Sequence, residues 1–157
     1  MLSLQKALTR VTLRPAATAT FSTKVSTFVS SPDCPKPIGP YTLGKKISTP
    51  NGTWGYSAGS IGLCPQSGEL VSEDPAEQSD RALKNLQAVA EANGFALTDT
   101  IKTTVFIAEM ADFAAINEVY AKYFKDMDPD FAARSCVAAY QLPKNAKFEI
   151  EAIFFKP

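Results

Sequence analysis

The 157 residues contain no histidine, which removes the usual general base, the familiar nucleophile–histidine pairs and the commonest metal ligand together. Any chemistry has to run on carboxylates, arginine, tyrosine, cysteine, backbone groups or water. Arg134 stands out because it lies in an otherwise uncharged, strand-like run from Phe131 to Ala139. A guanidinium buried in such a run needs a carboxylate partner, since an unpaired buried charge is costly. Glu149 and Glu151 follow, two apart, so they share one face of a strand. Two readings stay open: a structural Arg–Glu pair between neighbouring strands, or a site in which Arg134 grips a ligand carboxylate through its planar fork. In the second, Glu149 is free to handle a water. Cys34, Cys64 and Cys136 show no paired spacing, which argues against a zinc site and a disulfide framework. Without an adjacent base, Cys136 reads as an inert buried thiol.

These residues need a scaffold, and the pattern indicates one compact domain. Tyr41–Ile47 and Thr53–Gly59 read as two strands joined through Thr49-Pro50-Asn51-Gly52, whose Asn-Gly pair tolerates positive φ in a hairpin. Gly55, Gly59 and Gly62 match neither a dinucleotide fingerprint nor a P-loop, which leaves turn and bulge duty. Asp74-Pro75 with Glu77 forms a capping-box start for a helix that runs to about Asn93 and stops at Gly94. Thr100–Ile107 alternates as a strand. Asp112 is positioned to cap a second helix whose stripe is Phe113, Ile116, Tyr120 and Tyr123. Arg134–Tyr140 and Phe148–Phe154 complete the set around a turn at Leu142–Asn145. The order ββαβαββ predicts an α+β fold, a mixed sheet with both helices packed on one face.

Residues 1–31 differ in character. With Pro32 they carry Lys6, Arg10, Arg14 and Lys24 and no acid, among many Ser, Thr and Ala. Such a basic, acid-free amphipathic stretch is the pattern of an organelle transit peptide. Mitochondrial matrix is the expected destination, with plastid the alternative, and a domain of residues 32–157 is expected to follow. Removing the leader leaves 12 basic against 16 acidic residues, which argues against nucleic acid as the main partner.

Several segments in a shared order are similar to one family: Ile38-Gly39-Pro40-Tyr41, Ala58-Gly59-Ser60-Ile61, Gly68-Glu69-Leu70-Val71, Asn85-Leu86, Lys102–Phe106, Asp112-Phe113-Ala114 with Asn117 and Tyr120, Ala133–Val137, and Leu142-Pro143 with Glu149–Ala152. Together they resemble the RidA (YjgF/UK114-type) imine and enamine deaminases over about residues 33–155. The resemblance implies a chorismate-mutase-like fold and a homotrimer with sites between subunits. It also implies hydrolysis of 2-iminobutanoate, 2-iminopropanoate and their enamine tautomers, released by pyridoxal-phosphate dehydratases, to 2-keto acids and ammonia. Carried over by motif, Arg134 would hold the substrate carboxylate with help from the Cys136 N–H, and Glu149 would activate water. Tyr41, Ala58 and Asn117 would line the pocket. No cofactor, metal, nucleic acid or membrane is implied.

The chain departs from the family's usual Ser-Gly-Gln at Ala58-Gly59-Ser60, and Ala132 stands where proline is usual before Ala-Arg-Ser. These changes bear on substrate preference more than on the reaction. The rival reading is a non-catalytic carboxylate-binding or stress-interaction protein of the same superfamily. A ribonuclease finds little support in the acidic balance and the missing histidine.

Overall fold

A computed structural model describes residues 22–127 and 130–157. The strands are β1 (Lys24–Thr27), β2 (Gly44–Thr49), β3 (Gly52–Ser57), β4 (Ser60–Ile61), β5 (Thr100–Ile107), β6 (Ala133–Ala138) and β7 (Phe148–Lys156). The helices are α1 (Pro75–Ala92) and α2 (Phe113–Phe124). They build one sheet in the order β1-β2-β3-β7-β5-β6, with β4 also paired to β7. Only β5 and β6 run parallel, and α2 forms the crossover between them. The mixed sheet with two helices on one face is as expected.

Period-two alternation in the two central strands sets the layers. In β7, Phe148, Ile150, Ala152 and Phe154 are buried, as are Thr103, Val105 and Ile107 of β5. All face α1 and α2, and the apolar ones join Leu83, Leu86, Ile116 and Phe124 in the main core. A smaller cluster of Ile61, Leu63, Leu142 and Ala146 sits on the other side, packed against Phe106. That second face also presents Trp54, Tyr56, Glu149 and Glu151, whose strand partners place them opposite the helices.

Local chemistry explains most element ends. Pro75 opens α1, and the Asp74 carboxylate accepts from the Glu77 N–H at 2.9 Å. The reciprocal bond expected from Glu77 is not made, because the Asp74 N–H donates to Ser72 Oγ instead. Gly94, at φ 86°, ends α1 while its N–H and that of Phe95 return to the Glu91 and Ala90 carbonyls. Asp112 does not cap α2. A 3-10 turn over Met110–Asp112 leads into the helix and leaves the Asp112 side chain without a capping bond. The β2–β3 hairpin turns through Thr49-Pro50-Asn51-Gly52 as expected: Thr49 pairs with Gly52, Pro50 and Asn51 form the loop, and of the Asn-Gly pair only Gly52 has positive φ, at 135°. Pro50 fixes a negative φ that suits the first loop position.

The domain begins earlier than residue 32. β1 pairs along β2, Phe28 is buried in the main core, and the Asn93 side-chain amide both accepts from the Val29 N–H at 2.7 Å and donates to its carbonyl at 3.0 Å. Lys24 makes this stretch read as more of the basic leader, whereas half-buried Ser26 and buried Phe28, two apart, turn the same face of β1 and its continuation inward. Residues 1–21 lie outside the described part. Phe28→Ala is expected to destabilise the fold by about 3–5 kcal/mol, the usual cost of truncating a buried aromatic, measured by urea unfolding. A change under about 0.5 kcal/mol would place Phe28 outside the cooperative unit.

Candidate functional site

One half of the candidate site lies where β3 passes into β4. Pairing with β7 runs to Tyr56–Ile153 and resumes at Ser60–Ile150, so Ser57, Ala58 and Gly59 oppose only Glu151 and Ala152. This is a β-bulge, the kind of irregularity that re-aims a strand at a functional site. Ser57 Oγ accepts from the Ala152 N–H at 2.9 Å, and the Ala58 N–H donates to the Leu43 carbonyl at 2.9 Å. The bulged backbone borders an open cleft of about 240 Å³ lined by Tyr41, Ala58, Gly59 and Glu149, with Ile38, Ile61 and Pro143 as apolar walls. Tyr41 is held by the Ile38 N–H, which donates to its hydroxyl at 3.2 Å. Pro143 enters on a turn in which Lys144 and Asn145 both adopt left-handed backbone. Lys144 is tied there by Glu69 at 3.0 Å.

Glu149 is the one acid of this cleft. Half-buried among apolar walls, its carboxyl is pushed above the ordinary range by burial and, secondarily, by the neighbouring charge of Glu151. A carboxyl held closer to neutrality in this way is suited to moving protons.

The other half is built on β6 and α2. The Arg134 guanidinium lies over the Tyr120 ring, 4.6 Å from its centroid, and 5.7 Å from that of Phe113. Tyr120 is buried, its hydroxyl 3.0 Å from Thr103 Oγ1 and its ring stacked on Phe124. Burial raises the Tyr120 hydroxyl, against the opposing effects of the Thr103 bond and the Arg134 charge. Asn117, half-buried, is one turn from both Phe113 and Tyr120 and so shares their side of α2. Cys136 packs against the main core from the same face of β6 as Arg134. Burial pushes its thiol up despite Arg134, which fits an inert thiol rather than a nucleophile.

Sheet parity separates the halves. Arg134 pairs with Thr103, which pairs with Ala152, all on the helix side; Glu149 pairs with Phe106 on the opposite side. An Arg134–Glu149 or Arg134–Glu151 pair is therefore not formed, and among the described residues Arg134 makes no salt bridge. Nor is Arg134 starved of solvent as the neutral run suggested. It is exposed, because β6 is an edge strand. The structure thus brings together Tyr41, Ala58 and Glu149 in one place and Arg134, Asn117 and Cys136 in another. Sequence reading missed Gly59, the apolar walls, and the Phe113–Tyr120 ledge, whose helical spacing had read only as core. No cluster of potential metal ligands and no helix long and apolar enough to cross a membrane occurs among the described residues.

Residues 32–155 match the profile described as endoribonuclease L-PSP. The chain is 42% identical over 119 residues to the putative reactive intermediate deaminase TdcF of Escherichia coli, covering 76% of this chain and 88% of that protein. It is 38% identical over 129 residues to the 2-iminobutanoate/2-iminopropanoate deaminase of Salmonella typhimurium, covering 82% and 97%. Among solved structures, E. coli TdcF with bound serine matches with a TM-score of 0.74 and 37% identity, covering 84% of this chain and all of that one.

Proposed function

The chain belongs to the endoribonuclease L-PSP family, the RidA/YjgF proteins, and on that premise we propose that it is a deaminase that hydrolyses reactive imino acids to keto acids and ammonia. The observation that carries this reading is the presence, on opposite faces of one sheet, of a guanidinium resting on an aromatic ledge and of a half-buried carboxyl in an apolar cleft. Those are the two groups that an imino acid needs, one for its carboxylate and one for the water.

The chemistry balances without further groups. Water adds to the carbon of the protonated imine while Glu149 takes its proton, giving a neutral carbinolamine. Glu149 returns that proton to nitrogen, and ammonia leaves as the hydroxyl gives its own proton to Glu149 and becomes the carbonyl. An enamine enters the same path once its carbon is protonated. The proposed substrates are 2-iminobutanoate and 2-iminopropanoate, the products of threonine and serine dehydratases. Purified protein added to either dehydratase is expected to speed keto-acid release. Binding of the carboxylate analogue without faster release would instead mean a carboxylate-binding protein. A nuclease reading has less behind it, since the chain beyond residue 32 carries an acidic excess.

Because Arg134 and Glu149 lie on opposite faces of one sheet, they meet only if a second copy supplies the missing half, and a closed homotrimer provides this three times over. Mixing Arg134→Ala with Glu149→Gln subunits should then rebuild about a quarter of the sites, by random cyclic assembly. Activity of the mixture no higher than that of either variant would rule out a shared site. The basic leader supports delivery to the mitochondrial matrix, and a leader removed on import would have to end before Lys24 to spare β1.

A further inference from the structure

We infer that Gly59 is a positioning residue for Glu149: the missing side chain at the bulge is the space in which the Glu149 carboxylate lies. This rests on the reading of Glu149 as the group that handles water.

A Cβ built on Gly59 would collide with Glu149 Oε1 and come within 2.8 Å of its Cδ and 3.1 Å of its Cγ, and these are its three nearest neighbours. Other glycines have other reasons: at Gly55, for example, the core rings of Phe95 and Phe28 stand where a Cβ would go. Gly68 and Gly94 have positive φ and open space around them, so backbone conformation explains them. At Gly62 the obstacle is the Gln78 backbone at 2.8 Å, which is a packing constraint between β4 and α1. Gly59 has neither a left-handed backbone nor a backbone obstacle among its three nearest contacts. What an alanine would displace there is the end of a flexible side chain, and that end is the carboxylate.

The bulge gives the contact its geometry. With one residue more than β7 between Tyr56 and Ser60, the chain at Gly59 is brought over the β7 residue Glu149, whose ladder partner is Ile61. The carboxylate thus lies against a bare backbone, in a cleft whose walls include Ile61 and Pro143. Contact of this kind fixes a proton acceptor relative to the water it must activate, and a displacement of about 1 Å in such a group can cost on the order of a hundredfold.

The test is a pair of substitutions in the full chain, read by keto-acid release in the dehydratase-coupled assay. Gly59→Ala should lower kcat by about 10- to 100-fold with a smaller change in KM, because the carboxylate-binding half is untouched. Its acid limb in the pH–rate profile should also move, as the displaced Glu149 enters a different environment. Aspartate is one methylene shorter and vacates the space that the new methyl needs. Glu149→Asp should therefore cost much less in the Gly59→Ala background than in the native one. If Gly59→Ala keeps the native rate and pH profile, or if the two losses simply multiply, the positioning role is overturned. Should Gly59→Ala not fold, recovery of folding in the double variant supports the steric account, and continued failure to fold overturns it. Glu149→Gln alone separates the two levels: full activity there sinks the catalytic reading itself, whatever Gly59 does.

Discussion

Arg134→Ala should lower kcat/KM for a 2-imino acid by on the order of 10²- to 10⁴-fold, up to the limit set by the spontaneous reaction, while leaving thermal unfolding nearly unchanged. The asymmetry follows from where the side chain sits. Among the described residues Arg134 makes no ion pair, and it rests, exposed, on Tyr120 and Phe113. A cation–π contact at an exposed site contributes about 0.5–1 kcal/mol. A substrate carboxylate held bidentately adds two charge-assisted hydrogen bonds, each roughly 1.5–3 kcal/mol. Loss of Arg134 is therefore felt in substrate binding far more than in folding. Lysine should recover only part of the loss, because a point charge cannot reproduce the planar fork. Kinetics with both variants beside a melting curve decide it: a large loss of stability with modest kinetic change would make Arg134 structural.

Glu149→Gln has the opposite signature, with kcat falling by about 10²- to 10⁴-fold as the proton acceptor is lost and stability rising. Burial and Glu151 raise the Glu149 carboxyl above its ordinary range. A carboxyl raised on folding contributes stability that is fully present below the unfolded pKa and is lost as pH rises through the folded one. At neutral pH the ionised group is therefore a liability to the fold, which glutamine removes. The same shift moves the acid limb of the pH–rate profile above the usual carboxylate range. Glu151→Gln should bring that limb partly back, burial being the larger cause. Denaturant titrations of wild type and Glu149→Gln across pH 4–8 should show the stability difference growing with pH; a difference that shrinks would contradict the raised pKa.

What sequence could convey followed the range of the interaction. Strong local signals survived into the structure: Pro75 and Gly94 bound α1, and the alternation at Thr100–Ile107 is β5. Competing hydrogen bonds undid subtler ones. Ser72 took the N–H that Glu77 was expected to satisfy, and a 3-10 turn displaced Asp112 from its cap. The candidate site divided along the same line. Arg134 and Glu149 were legible by residue type and family motif, but their separation across the sheet depends on strand order. An uncharged run reads as buried, yet β6 is an edge strand and its residues are largely exposed. Gly59 looked like any turn glycine, because its neighbour Glu149 is ninety positions away in the chain.

The division of Arg134 and Glu149 between two faces has a consequence for newly made protein. No hinge or loop motion within one chain can carry a group through an intact hydrogen-bonded sheet. On the proposed reading a correctly folded single subunit is a zymogen with no propeptide to cut. Encounter with its own kind is the activating event, so turnover per chain should decline on dilution past the point where the assembly dissociates.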